Sequence, residues 1–207
     1  MLDGYVSEKE QLEEIGKWWK ENGKWITVAI IVGLILGFGW RYYQKIETRR
    51  LENASMIYQS VLSADKQTQF KTAQDGAAIL VKNFPKTPYA SLAAMISAQE
   101  AVSQNQLDAA LNQLNWVINN SNSNRQKQIA RINAARILLS QNKTQDAISM
   151  LNTINDKTFM PLIDLVKGDI ATKLGDTKSA QADYENAKAG LSDFPPATQL
   201  LNMKLAS

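Results

Sequence analysis

Three sets of residues repeat one spacing: Leu92, Met95 and Gln99; Ile129, Ile132 and Arg136; Leu162, Leu165 and Asp169. Each set puts two apolar side chains three residues apart and a polar one four further on, so its members share one face of a helix. The chemistry such a face offers is recognition. An apolar stripe with a polar edge suits unfolded segments or the amphipathic helix of a partner. A groove that grips a terminal carboxylate needs Lys, Arg and Asn at such places, and these nine positions mostly lack them. A second reading stands beside the open groove: the stripe is covered by the protein's own last helix, through Leu200, Leu201, Met203 and Leu205.

Bond-making chemistry has few tools here. The 207 residues include no histidine and no cysteine. That removes imidazole acid–base catalysis, thiol nucleophiles, disulfides and the usual zinc sites. No EF-hand-like acidic loop is present, and no carboxylate cluster offers activated chemistry, so neither metal, cofactor nor enzymatic activity is expected. The net charge is +3, and from Leu51 onward fifteen Lys or Arg face thirteen Asp or Glu. No dense basic block marks a nucleic-acid surface.

The elements that must carry these faces begin with an anchor. From Trp25 to Trp40 sixteen residues pass without a charge. As a helix they span ~24 Å, short of a hydrocarbon layer of ~30 Å. The flanks supply the difference. Trp18, Trp19 and Trp25 stand at one end and Trp40, Tyr42 and Tyr43 at the other, as in an interfacial aromatic belt, while Lys24 and Arg41 can snorkel. A buried helix of a soluble domain is rarely apolar all round between two aromatic clusters. A cleavable leader is not expected either, because the preceding tail is acidic and "WRYYQK" follows in place of small residues. Before the span, Ser7 and Glu10 have capping-box spacing, and Leu12, Ile15, Trp18 and Trp19 share a face. This segment reads as a short amphipathic helix on the membrane surface or as a solvated lead into the span. Gly33 and Gly37 have G-x-x-x-G spacing, which allows close approach of another membrane helix, either a second copy or a partner. Four basic residues lie on each side of the span, so charge alone leaves its orientation open.

Beyond the span a helix is expected from Lys45 to Ala64, then a polar break at "ADKQTQF", then a helix from Thr72 to Phe84 that ends at Pro85. The remainder is periodic. "SQNQLDAALNQL", "SQNKTQDAISML" and "KLGDTKSAQADY" each hold a turn residue (Asn105, Asn142, Gly175) and an alanine five later (Ala110, Ala147, Ala180). A bulky residue follows four further on (Leu114, Leu151, Tyr184), and seven before each turn sits Ala98, Ala135 or Gly168. The repeat spacings of 37 and 33 residues bracket the tetratricopeptide period of about 34. Small side chains let two antiparallel helices approach, and the bulky one fills the layer between hairpins. Pro195 and Pro196 stop the third unit, and "ATQLLNMKLA" can form a capping helix.

The sequence resembles the ancillary subunit of the bacterial Sec translocon, a family of single-pass inner-membrane proteins with a periplasmic tetratricopeptide-like domain. The resemblance runs over almost the whole chain and is carried by "ENGK", "GWRYY", "YASLAAMISAQ", "VKGDIATKLGD" and the closing Met203–Lys204, in that order around the anchor. It implies an all-α protein in which an uncleaved transmembrane helix precedes a tetratricopeptide-like α-solenoid of antiparallel helix pairs with a C-terminal capping helix. The expected divisions are a cytoplasmic tail (1–24), a transmembrane helix (25–43) and a periplasmic domain (44–207). It further implies translocon subunits, a membrane-anchored chaperone of the parvulin type and secretory chains as partners. The function expected is a non-enzymatic scaffold or chaperone-like subunit at the translocon exit. Two other readings remain: a membrane-tethered regulator that sequesters a signalling protein, and an assembly factor for an envelope complex.

Overall fold

The structure is a computed structural model that describes residues 8–192 and 195–206. Among these residues it holds nine α-helices, one short 3₁₀ turn and no strand. Two compact units are distinguished, residues 1–51 and 52–207.

The first unit is helical from Glu8, where α1 (Glu8–Lys66) begins. No proline interrupts it, and Gly16 and Gly23 are tolerated at roughly 1 kcal/mol each. The expected surface helix is therefore the first part of α1 and not a separate element. Ser7, the proposed cap, lies outside the described residues. Thr27 donates its hydroxyl to the Gly23 carbonyl at 2.8 Å, so this polar group inside the apolar run is satisfied by its own helix. The run is almost wholly exposed, with Trp25 at 77 % and Phe38 at 70 %. Among the described residues α1 is the one helix long and apolar enough to cross a membrane.

The second unit starts at residue 52, later than the expected 44, and Ala54 is the first buried hydrophobic side chain described in α1. Around the end of α1 pack α2 (Phe70–Asn83) and α3 (Pro88–Ser103), sharing Val61, Ala73, Ala77, Leu80, Ala90 and Ala93 as a core. Then follow α4 (Leu107–Asn120), α5 (Asn124–Ser140), α6 (Thr144–Asn152), α7 (Met160–Leu174), α8 (Thr177–Gly190) and α9 (Pro195–Ala206). Proline at the head of α9 occupies the position where its missing N–H is harmless, so Pro195 starts the last helix as well as ending what precedes it.

One turn is used four times. Thr68, Asn105, Asn142 and Gly175 have φ of 55°, 58°, 64° and 79°. In each case the next residue donates its N–H to the carbonyl five residues back, as Gln106 does to Ala101 at 2.7 Å and Asp176 to Ala171 at 2.9 Å. This is the Schellman closure, which satisfies carbonyls a helix end leaves open. The sequence pattern identifies the last three turns; the structure adds the one at Thr68, 37 residues before Asn105.

The packing explains why that first unit is hard to read. In the later units the small residue seven before the turn meets a bulky one sixteen further on: Ala98 with Leu114, Ala135 with Leu151, Gly168 with Tyr184. Tyrosine is the largest of these partners, and the opposing residue has shrunk to glycine; a Cβ there would lie 2.4 Å from the ring. In the first unit the sizes are exchanged. Val61 stands before the turn and faces Gly76 and Ala77, with a Cβ on Gly76 falling 2.7 Å from Val61. The volume of the hairpin contact is kept while the residue types invert.

Candidate functional site

The first helices of the last three hairpins are α3, α5 and α7, and the gaps between them differ. Between α3 and α5 lies a groove of about 440 Å³. Its walls are Leu92, Met95, Ile96 and Val102 of α3, Ile137 of α5 and Tyr58 of α1, over a floor of Ala98 and Leu114. Gln99, Asn133 and Arg136 form its polar edge. Leu92 and Met95 are half-buried, Val102 is exposed, and the alanine-rich α3 leaves little bulk to fill the space.

Of the nine positions expected to form a continuous stripe, four line this groove: Leu92, Met95, Gln99 and Arg136. The other five do not. Ile132 is 2 % exposed and belongs to the core with Leu151, Phe159 and Ile163, against which Ile129 and Leu162 also pack. The residues before α7 are the cause: the 3₁₀ turn Lys157–Phe159 places its aromatic ring in that core. The short link before α5, Ser121 to Ser123, has no such group to offer the α3–α5 gap. Leu165 is 4 % exposed and shares a cluster with Tyr184 and Leu201, the latter brought by α9. Of the last-helix residues named for covering the stripe, Leu201 lies in the cluster that buries Leu165 and Leu205 packs against it, while Leu200 and Met203 remain exposed. Asp169 faces the next gap.

That second gap, of about 360 Å³, lies between α5 and α7. It is lined by Arg136, Leu139 and Ser140 of α5, Asp169, Thr172 and Lys173 of α7, Tyr184 of α8 and Lys204 of α9. The Asp169 carboxylate accepts from Lys204 at 2.6 Å and from the Tyr184 hydroxyl at 2.9 Å. Thr172 and Tyr184 share a hydrogen bond at 3.0 Å. Lys204 also stands 5.4 Å from the centre of the Tyr184 ring. Burial by itself lowers the Lys204 pKa, but the hydrogen bond and charge of Asp169 outweigh it, and the ammonium is held more firmly than usual. Burial raises the Tyr184 pKa, so its hydroxyl stays a donor. Arg136 is lowered by desolvation, with Asp169 pulling it back up; guanidinium remains a cation regardless. Asn133, Lys173, Lys204 and Tyr58 escaped the sequence register because they come from other turns or other helices. A lysine in the closing "MK" was the one visible signal.

Gly33 and Gly37 lie in the first unit, where added methyls would meet nothing within 4 Å. With Leu34, Phe38 and Arg41 they border a shallow hollow of about 220 Å³ on α1. No group of three or more metal-binding side chains occurs among the described residues.

A family model described as a tetratricopeptide repeat-like domain matches residues 16–207. Similar proteins include one from Haemophilus influenzae, 28 % identical over 97 % of this chain and 97 % of that protein. One from Escherichia coli is 26 % identical over 99 % of this chain and 98 % of its own length. One from Neisseria gonorrhoeae is 24 % identical over 100 % and 99 % respectively. Each of the three is named an ancillary SecYEG translocon subunit. No solved structure matches.

Proposed function

This chain belongs to the tetratricopeptide repeat-like domain family, and from that premise we propose that it is a non-enzymatic subunit attached to the secretory translocon. In this reading residues 1–24 lie in the cytoplasm, 25–43 cross the inner membrane, and the helical domain stands in the periplasm. There it receives apolar segments of emerging chains and passes them to a membrane-anchored chaperone of the parvulin type. The relatives' shared name supports the translocon association.

The observation that carries the reading is the α3–α5 groove. Its walls are mainly apolar, and its polar groups are confined to one edge. Apolar burial yields about 25 cal/mol per Å² without regard to sequence, which suits clients that differ from one another. Met95 adds adaptability, since an unbranched thioether repacks around different shapes. Such binding is weak and reversible, as a transfer step requires. Gly33 and Gly37 would add a contact within the bilayer, to a translocon helix or to a second copy.

A photo-crosslinking residue at Met95 of the full chain tests this in intact cells, with the exposed Gln181 of α8 as the control. Secretory chains or translocon subunits should be captured from Met95 and not from Gln181, and a reporter active only outside the cytoplasm should work when fused after Ser207. Capture of a soluble cytoplasmic regulator, or a silent reporter, would overturn the reading.

A further inference from the structure

The two gaps flanking α5 have different chemistry and share one residue, Arg136. We propose that the α5–α7 gap is a carboxylate-recognition site continuous in use with the apolar groove, so that the preferred ligand is an apolar segment carrying a carboxylate beside it. The inference rests on the groove reading above and specifies its ligand.

Charge is the first support. Three cations, Arg136, Lys173 and Lys204, line the gap with a single carboxylate, Asp169. That carboxylate is engaged by Lys204 at 2.6 Å and by Tyr184 at 2.9 Å. Lys173 reaches across the gap and donates to the Leu139 carbonyl at 2.5 Å, a neutral acceptor at the end of α5. Arg136 makes no hydrogen bond or ion pair among the described residues and feels Asp169 only at longer range. Two positive charges thus face this gap without an anion of their own, in surroundings that already desolvate one of them.

Geometry is the second support. The Lys204–Asp169–Tyr184 set, tied to Thr172 by a further bond, fixes the far wall. It spends the lining's only carboxylate internally, which removes the group that would repel an incoming anion. Guanidinium can offer two parallel N–H donors to a carboxylate, a match a single ammonium cannot make. Arg136 also borders the groove, where Gln99 and Asn133 lie along the same edge. A segment with its apolar side chains against Met95, Leu92 and Ile137 would bring its next acidic group to Arg136.

The carboxylate could come from an aspartate or glutamate side chain or from a chain terminus, and the test separates them. Three fluorescein-labelled peptides of one Leu-, Ala- and Met-rich sequence are compared on the full chain in nanodiscs: C-terminal amide, C-terminal acid, and amide with one internal Glu. At low salt at least one acidic peptide should bind about tenfold more tightly than the neutral amide. The tighter of the two identifies the source. Arg136→Gln should erase that advantage, whereas Met95→Asp should weaken all three. Equal affinity for all three on the native chain, or an acidic advantage that survives Arg136→Gln, would overturn the carboxylate site and leave the groove standing. If no peptide bound better to the native chain than to Met95→Asp, the groove reading itself would fall, and this inference with it.

Discussion

Met95, Ile132 and Leu165 occupy one register position, ten residues before the turns at Asn105, Asn142 and Gly175, yet only Met95 borders an open groove. Ile132 is closed in by the core that holds Phe159, and Leu165 by the cluster that holds Leu201 of α9. The helices are alike, and what lies between them differs. In a repeat fold the face a residue presents is set within its hairpin, but whether that face is available is decided by the next link or the next helix. The same lesson applies one turn later. Gln99, Arg136 and Asp169 share a register position, and they serve as groove edge, unpaired cation and paired anion respectively.

The contrast between open and covered positions breaks most visibly under a buried charge. Leu165→Asp should destabilise the domain by roughly 3–5 kcal/mol, the scale of an uncompensated charge in a core. Met95→Asp at the matching position should cost less than about 1 kcal/mol. Denaturant unfolding of the two variants of the full chain checks this, and equal losses would mean that the groove closes in solution.

A smaller effect sharpens the comparison between hairpins. Gly168 exists for Tyr184, so Gly168→Ala should cost about 1–3 kcal/mol by overpacking against the ring. Adding Tyr184→Leu should recover part of that loss, although Leu gives up the bonds to Asp169 and Thr172. If the double variant lost the full sum of the single costs, the size-matching account of the repeat would be wrong.

The smallest effect lies within α3, between its groove face and its packed face. Glu100, next to Gln99, is 2 % exposed, and its two carboxylate oxygens accept no hydrogen bond among the described residues. Burial raises its pKa, and Asp65 at the end of α1 adds to the rise. The folded state therefore binds this proton more tightly than the unfolded chain does. Stability is undiminished below the ordinary carboxylate pKa of about 4.3 and falls as pH rises toward the raised folded value. Glu100→Gln should raise the melting temperature near neutral pH, and the gain should vanish in acid. A gain that is independent of pH would trace to packing instead.

Much of this architecture is legible in the residues themselves. The charge-free run between aromatic clusters marks α1, and Asn105, Asn142 and Gly175 mark turns because few other residues adopt left-handed backbone easily. Thr68 does so without advertising it, and the exchange of large and small at Val61 and Ala77 hides the first hairpin from a pattern built on the other three. At the site, periodicity selects Leu92, Met95, Gln99 and Arg136, since these depend on one helix face. It could not anticipate Phe159 or Leu201 over their neighbours, nor bring Lys173 and Lys204 beside Arg136. Those are meetings of segments 27 to 68 residues apart in number, such as Arg136 with Lys204, and no local period encodes them.

The four hairpins share one rule about where the chain can grow. From the position seven before each turn to its partner the distance is always 16 residues: 61 to 77, 98 to 114, 135 to 151, 168 to 184. From one unit's partner to the next unit's start it is 21, 21 and then 17. A residue inserted inside the first interval would rotate one helix about 100° and carry its contact side chain off the seam. One inserted in the links themselves, residues 84–87, 121–123 or 153–156, only lengthens a connection. The chain can thus gain or lose residues in the links, while each hairpin has to keep its length.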